Sequence, residues 1–169
     1  MQFSLYYTFY LFITFLERAG TYDGHKGTVW GCDVTYFSKY LITGSADGYC
    51  FIWDVKTGFI LKEIKHRGPV RAVAFSEGDK FFATVTNPFR STAASFSIFK
   101  MPEDGDFSSS EMTPIIDIVD TPLKKGQKFN CVKWLPLNAG LMLGSTDGSI
   151  YIYDPTTGEL VSHSKLNYL

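Results

Sequence analysis

The sequence predicts an all-β protein built from repeated antiparallel units of about four strands. The first observation is a repeat, because the eleven residues 44–54 recur at 144–154 with six identical positions. In both copies a strand ends in Gly-Ser, an Asp-Gly pair forms a tight turn, and a second strand of alternating bulky residues follows. The second observation is composition, since aromatic residues make up 17% of the 169 residues and favour strands. After residue 16, no long run repeats its apolar positions at helical spacing.

The residues after each second strand identify the type of repeat. Trp53-Asp54 in the first copy and Tyr153-Asp154 in the second are both followed by Thr-Gly in register. This order is typical of the WD repeat, the unit that forms one blade of a β-propeller. The Asp-Gly turns at Asp47 and Asp147 lie 100 residues apart, and WD repeats are about 40–45 residues long. We therefore predict a WD40 β-propeller of about three four-stranded blades, which is an incomplete propeller.

Four segments divide the chain. Residues 1–16 are an atypical hydrophobic N-terminal segment, residues 17–66 a WD repeat, residues 67–122 a divergent WD repeat with long loops, and residues 123–169 a WD repeat. In the middle repeat, loops at 86–95 and 101–112 contain proline, glycine and acidic residues and account for its extra length. The third repeat is expected to fray at an open edge, with Tyr153 close to that edge.

The first sixteen residues carry no charge and do not fit the repeat. A membrane-spanning helix needs about 20 apolar residues, and a secretory signal needs a basic start and a small-residue cleavage site, which are missing. We favour a segment foreign to the fold, with a strand-like extension and a membrane or signal element as alternatives.

Polar residues of the first repeat match the hydrogen-bonded network of WD repeats. The matching residues are His25, Thr43, Asp47 and Trp53, and such a network holds a blade together when each polar atom has a partner. A catalytic His/Asp/Thr set is the competing interpretation, but no second acid or oxyanion feature accompanies it. The residues that mark the repeat turns and strand ends are Asp54, Asp147, Tyr153 and Asp154.

The third repeat lacks this network in the sequence. Tyr153 replaces the tryptophan, Leu143 stands at the position of Thr43, and no Gly-His pair precedes the first strand. We expect that blade to depend on apolar packing, and we expect His66 and His163 to be loop or surface residues.

Composition and motifs exclude several classes of function. The net charge is −1, which leaves no basic surface for nucleic acid. Three scattered cysteines give neither a disulfide framework nor zinc-ligand spacing, and Cys32 and Cys50 are expected to pack inside strands. Phosphate-binding loops, GxSxG and HExxH are also missing. We predict no catalytic residue, no cofactor and no metal.

A narrower resemblance rests on the linker into the first repeat. Residues 17–30 (ERAGTYDGHKGTVW), Asp33-Val34 and residues 43–47 resemble the family of subunit i of eukaryotic translation initiation factor 3. The middle repeat is similar to the same family, because a loop with Asn87-Pro88 precedes Phe96-Ser97-Ile98. The resemblance extends from residue 17 to about residue 165.

The resemblance implies a non-catalytic scaffold. Members of the family are seven-bladed cytoplasmic propellers that hold partner subunits, chiefly b and g, of a complex that recruits mRNA and initiator tRNA to the 40S ribosomal subunit. It implies only indirect contact with the ribosome, no direct nucleic acid binding and no membrane. Three blades cannot close a ring, so we expect an open, aggregation-prone wedge that is part of a longer gene product.

Two other function classes remain as alternatives. A signalling adaptor resembling serine-threonine kinase receptor-associated protein shares the Gly-His-Lys-Gly-x-Val-Trp-Gly opening at residues 24–31, but it fits the middle repeat less well. An enzyme on a propeller base would need a polar cluster at the blade ends, and the loops at 76–79 and 138–140 offer little.

Overall fold

The computed structural model of the chain describes residues 21–108 and 112–165. Across these two ranges, twelve strands form three four-stranded antiparallel sheets, each with its strands side by side in chain order. The predicted all-β fold class is therefore confirmed. The segment 1–16, for which three interpretations were open, lies outside the described residues.

Each sheet is one blade. The first blade contains β1 (Val29–Val34), β2 (Tyr40–Ser45), β3 (Tyr49–Asp54) and β4 (Ile60–Lys65). The second contains β5 (Val70–Phe75), β6 (Phe81–Thr86), β7 (Ser95–Lys100) and β8 (Ile116–Ile118). The third contains β9 (Phe129–Trp134), β10 (Leu141–Ser145), β11 (Ser149–Tyr153) and β12 (Leu160–Lys165). The fourth strand of each blade has no distinct sequence signal and is found only in the structure.

Tight turns join the second and third strands of the first and third blades. Gly48 and Gly148 have φ angles of 85° and 81°, a conformation that glycine adopts without the steric penalty of a Cβ atom. The aspartate one residue earlier accepts a hydrogen bond from the backbone N–H two residues on, from Tyr49 at 2.9 Å and from Ser149 at 2.9 Å. The repeated Asp-Gly pair is therefore what sets the two hairpin turns.

The blades pack face to face, and the core consists of the two layers between them. The first strands of the blades lie side by side, with β5 between β1 and β9. Alternation along β3 directs Cys50 and Ile52 toward the second blade. The layer between the first and second blades contains Ile42, Ile52, Val73, Phe82 and Phe99, and the layer between the second and third contains Val85, Phe96, Ile98, Leu143 and Tyr153.

Loop contacts also join neighbouring blades at the end where the first strand turns into the second. The backbone N–H of Tyr36 donates to the Asp79 carboxylate at 2.9 Å. The Glu77 backbone N–H donates to Asn138 Oδ1 at 2.8 Å, and Asn138 Nδ2 donates back to the Glu77 carbonyl at 2.9 Å. The loops at 76–79 and 138–140, which suggested no role in the sequence, connect the blades.

Two expectations about individual residues were wrong. Tyr153 lies in the layer between the second and third blades and is only 3% exposed, so it is not at an open edge. Cys50 is buried as expected, but Cys32 is exposed although it lies within β1. His66 lies in the loop between β4 and β5, as expected, although its Nε2 atom is buried. Within the part of the chain that the structure describes, no helix is long and apolar enough to cross a membrane.

Candidate functional site

The structure brings together the four polar residues singled out in the first repeat. His25 precedes β1, Thr43 lies on β2, Asp47 forms the turn after β2, and Trp53 lies near the end of β3. His25 Nδ1 lies 2.9 Å from Asp47 Oδ2, and His25 Nε2 lies 2.8 Å from Thr43 Oγ1. Trp53 Nε1 donates to the same Thr43 oxygen at 2.8 Å. These contacts make one continuous hydrogen-bonded chain across the blade.

A neutral imidazole satisfies every atom of this chain. With its proton on Nδ1, His25 donates to the Asp47 carboxylate and accepts the Thr43 hydroxyl proton at Nε2. The threonine oxygen then accepts from the Trp53 indole. Thr43 is only 6% exposed, and its oxygen also accepts the Trp53 indole proton, so the hydroxyl is poorly placed to reach a substrate.

Close packing around His25 explains the glycine before it. The His25 ring stacks on Phe51 with a centroid distance of 4.1 Å and an interplanar angle of 7°. A Cβ atom on Gly24 would lie 2.7 Å from Ile60 Cδ1 and 3.1 Å from the Trp53 ring. The segment at residue 24 therefore packs so closely that a larger residue would require Ile60 and the Trp53 ring to shift, and Trp53 is 1% exposed.

The network stabilises the ionised form of Asp47. Burial alone would raise the pKa of this carboxyl, but hydrogen bonds from His25 and from the backbone N–H groups of Tyr49 and Lys26 outweigh it and lower the pKa. The Lys26 N–H donates to Asp47 Oδ2 at 2.8 Å. The turn aspartate thus joins the segment before β1 to the β2–β3 turn.

The third blade replaces the network rather than losing it altogether. The Tyr151 hydroxyl donates to Asp147 Oδ2 at 3.2 Å, where the first blade uses His25. Tyr153 packs against Phe96 with ring centroids 4.6 Å apart, and its buried hydroxyl has no hydrogen-bond partner among the described residues. Burial raises the pKa of Tyr153 to about 12. The blade was expected to depend on apolar packing, and the Tyr151–Asp147 bond adds one polar contact to it.

The second blade carries a counterpart that the sequence analysis missed. His66-Arg67-Gly68-Pro69-Val70 aligns with His25-Lys26-Gly27-Thr28-Val29, since Val29 pairs with Ser45 and Val70 with Thr86. The strand register makes Thr84 the counterpart of Thr43, Ser97 of Phe51, and Phe99 of Trp53. The HxGxV spacing was the available signal, and the absence of an Asp-Gly turn in this blade obscured it.

A second feature is repeated in the first and third blades. In each, an aspartate lies at the end of the third strand. Asp54 Oδ1 accepts hydrogen bonds from the backbone N–H and the hydroxyl of Thr57, both at 2.7 Å. Asp154 Oδ1 accepts the same pair from Thr156, at 2.7 and 2.6 Å. These bonds lower the pKa of both carboxyls and fix the turns that lead to the outer strands. The described residues contain no cluster of three or more His, Cys, Asp or Glu that could hold a metal ion.

Comparison with protein families identifies the repeat. Residues 16–54 match the WD40 family model, described as the WD domain, G-beta repeat, and these residues include the complete His25 network. The chain therefore contains a WD repeat within residues 16–54. Its fold resembles the crystal structure of the computationally designed Ika8 protein, with a TM-score of 0.60 over 84% of this chain and 38% of that chain. At 18% identity this likeness concerns the fold alone.

The chain is also similar to proteins named eukaryotic translation initiation factor 3 subunit I. It is 33% identical over 151 residues to the protein of Schizosaccharomyces pombe and 35% identical over 148 residues to that of Drosophila ananassae. These alignments cover 89% and 88% of this chain and 44% of each relative. The WD-repeat chain thus spans less than half the length of the curated relatives it matches.

Proposed function

We propose that this chain serves as a non-catalytic scaffold in the eukaryotic translation initiation factor 3 complex. The observation that carries the proposal is the similarity to relatives named as subunit I of that factor, which extends over 88–89% of the chain rather than over one WD repeat. In this role the chain works in the cytoplasm and supports recruitment of mRNA and initiator tRNA to the small ribosomal subunit through protein contacts, including subunits b and g.

The polar network of the first blade supports a structural role for its residues. His25, Thr43 and Trp53 use their hydrogen-bonding atoms on one another, and their side chains are enclosed by Phe51 and the segment at Gly24. Because no polar atom of this set is left to bind a substrate, we assign the network to blade stability and partner binding to the blade ends.

An exposed aromatic pair marks the blade end that we propose for partner contacts. Tyr36 and Phe37, in the loop between β1 and β2, are 75% and 86% exposed, and their rings meet edge to face at 5.0 Å. Leu137 in the matching loop of the third blade is 84% exposed. Large apolar side chains that fold stability does not require are typical of protein interaction sites.

Co-purification from eukaryotic cells tests the proposal. The tagged chain should retain initiation factor 3 subunits, and the double substitution Tyr36→Ser and Phe37→Ser should reduce their recovery at least about tenfold, which corresponds to about 1.4 kcal/mol. Val161→Ser, at an equally solvent-facing position on β12 that is 66% exposed, serves as the matched control and should leave recovery unchanged. Recovery of a receptor kinase without initiation subunits would instead support the signalling adaptor.

A further inference from the structure

The first and second blades differ at one position beside the shared histidine. In the first blade Phe51 lies parallel to the His25 ring at 4.1 Å. In the second blade the register places Ser97 at the position of Phe51. Phe99 contacts His66 at 5.8 Å but at an interplanar angle of 84°, so it does not take the parallel position. The second blade therefore keeps the imidazole and lacks the ring that stacks on it.

A cleft is lined by both His66 and the smaller side chain, Ser97. Its volume is about 470 Å³, and the residues that line it include His66, Thr86, Ser95, Ser97, Phe99 and Asp117. A dry cavity of about 150 Å³ is already large enough to hold benzene. The cleft is thus large enough for one aromatic ring together with ordered water.

Two polar side chains, one lining the cleft and one paired across the strands with Ser97, lack the hydrogen-bond partners that their counterparts in the first blade have. In the first blade the histidine Nε2 and the threonine hydroxyl bond each other at 2.8 Å. In the second blade His66 Nε2 and Thr84 Oγ1 are both buried without a hydrogen-bond partner among the described residues. Burial also lowers the pKa of His66 to about 4, against the opposing effect of the Asp117 carboxylate, so its ring is neutral near pH 7. A neutral imidazole favours stacking over ion pairing.

Polar groups surround the mouth of the cleft in a fixed arrangement. Arg67 pairs with Asp117 at 2.7 Å, and the Ser97 hydroxyl donates to the same carboxylate at 2.9 Å. Arg67 is more than half exposed, so it reaches solvent while Asp117 is held against β7. A ligand entering the cleft would meet apolar and imidazole surface inside and charged groups at the rim, which is the usual composition of a specific pocket.

We propose that this cleft, between the first and second blades, binds a single aromatic side chain of a partner protein, stacked on His66 as Phe51 stacks on His25. The chain itself supplies the template, because the same fold position is filled by an aromatic ring in the neighbouring blade. The proposal goes beyond the scaffold function and does not depend on which complex the chain joins. Among aromatic side chains, we expect a phenol ring to bind most tightly, since its hydroxyl can hydrogen-bond to the polar groups that line the cleft.

Ligand titration monitored at the histidine rings tests this proposal. The 169-residue chain, labelled with ¹³C in its three histidines, is titrated with N-acetyl-tyrosinamide and, separately, with N-acetyl-leucinamide. We expect ring-current shifts at His66 with a dissociation constant of about 1 mM for the tyrosine derivative, and binding about tenfold weaker for the leucine derivative. His25 and His163 are internal controls that should not shift. No shift at His66, or equal binding of the two derivatives, would overturn the proposal.

Two substitutions of Ser97 distinguish the effect of filling the cleft from the effect of losing a hydrogen bond. Ser97→Phe introduces the ring that the first blade already has and should abolish the His66 shift. Ser97→Ala removes the same hydrogen bond to Asp117 but leaves the cleft open, so binding should persist. If Ser97→Phe fails to fold, His66→Leu provides the second test, with saturation transfer to the tyrosine derivative as the readout. Transfer equal to that of the unaltered chain would contradict stacking on the imidazole.

Discussion

At the scale of single residues, the three blades carry different versions of the hydrogen-bonded network seen in the first blade. The first blade has a complete chain from Trp53 through Thr43 and His25 to Asp47. The third blade has only the aspartate, with a tyrosine hydroxyl as its donor. Since a buried donor or acceptor without a partner costs about 1–3 kcal/mol, each blade must either complete such a chain, replace its members, or leave space for a ligand or water.

Thr43 is the residue on which the first network depends most, because it bonds two others. Thr43→Val keeps the shape of the side chain but leaves His25 Nε2 and the Trp53 indole N–H without partners. We expect the free energy of unfolding, measured by urea denaturation, to fall by about 2 kcal/mol or more. Thr43→Ser keeps the hydroxyl and should cost about 1 kcal/mol, the value of one buried methyl group. Equal losses in the two variants would show that the hydrogen bonds contribute little.

At the scale of elements, the turn aspartates and glycines determine where strands end. Asp47 and Asp147 each bind the N–H two residues later, and the following glycine has a positive φ in both turns. In the second blade a longer loop between β6 and β7 takes the place of this turn. There the strands are paired in register from Thr86 with Ser95 to Phe81 with Lys100. A bridge between Phe89 and Thr92 within the loop and a hydrogen bond between the Thr86 and Ser95 hydroxyls hold the hairpin in place of the Asp-Gly turn.

Substitutions at Gly148 measure how much the turn contributes to stability, separately from side-chain packing. Its φ is 81°, and a Cβ atom there would meet nothing within 4 Å. Gly148→Ala should therefore destabilise the third blade by about 1 kcal/mol through backbone strain alone. Gly148→Asn should cost less, because asparagine tolerates the left-handed conformation. The melting temperatures of the two variants provide the measurement, and a larger loss for asparagine would contradict this account.

At the scale of the whole molecule, the second blade holds the structure together. Both of its faces are covered, by the first blade on one side and by the third on the other. Its first three strands are buried along most of their length, whereas all six residues of β12 are exposed. Blades in such a stack interact mainly with their neighbours, so local stability should decrease from the second blade outward.

Amide hydrogen exchange measures this gradient directly. We expect the slowest exchange in β6, which has a paired strand on each side and both faces covered, and the fastest exchange among strand residues in β12. Exchange in β3 should be slow because it is central in the first blade and buried over most of its length. Protection of β12 equal to that of β6 would mean that the described blades unfold as one cooperative unit.

The sequence alone determined the repeat, the fold class and the residues of the first network. These were accessible because the Asp-Gly turns, the alternating strands and the Trp-Asp pair are local patterns, fixed by turn chemistry and strand geometry. Only the tertiary structure decided that Tyr153 is buried, that Tyr151 bonds Asp147, and that His66 faces a cleft. Those outcomes depend on which sheet face meets a neighbouring blade, and Ser97 shows the reason. A serine in a strand looks unremarkable until the strand register shows that it takes the position of Phe51, the ring that stacks on His25 in the first blade.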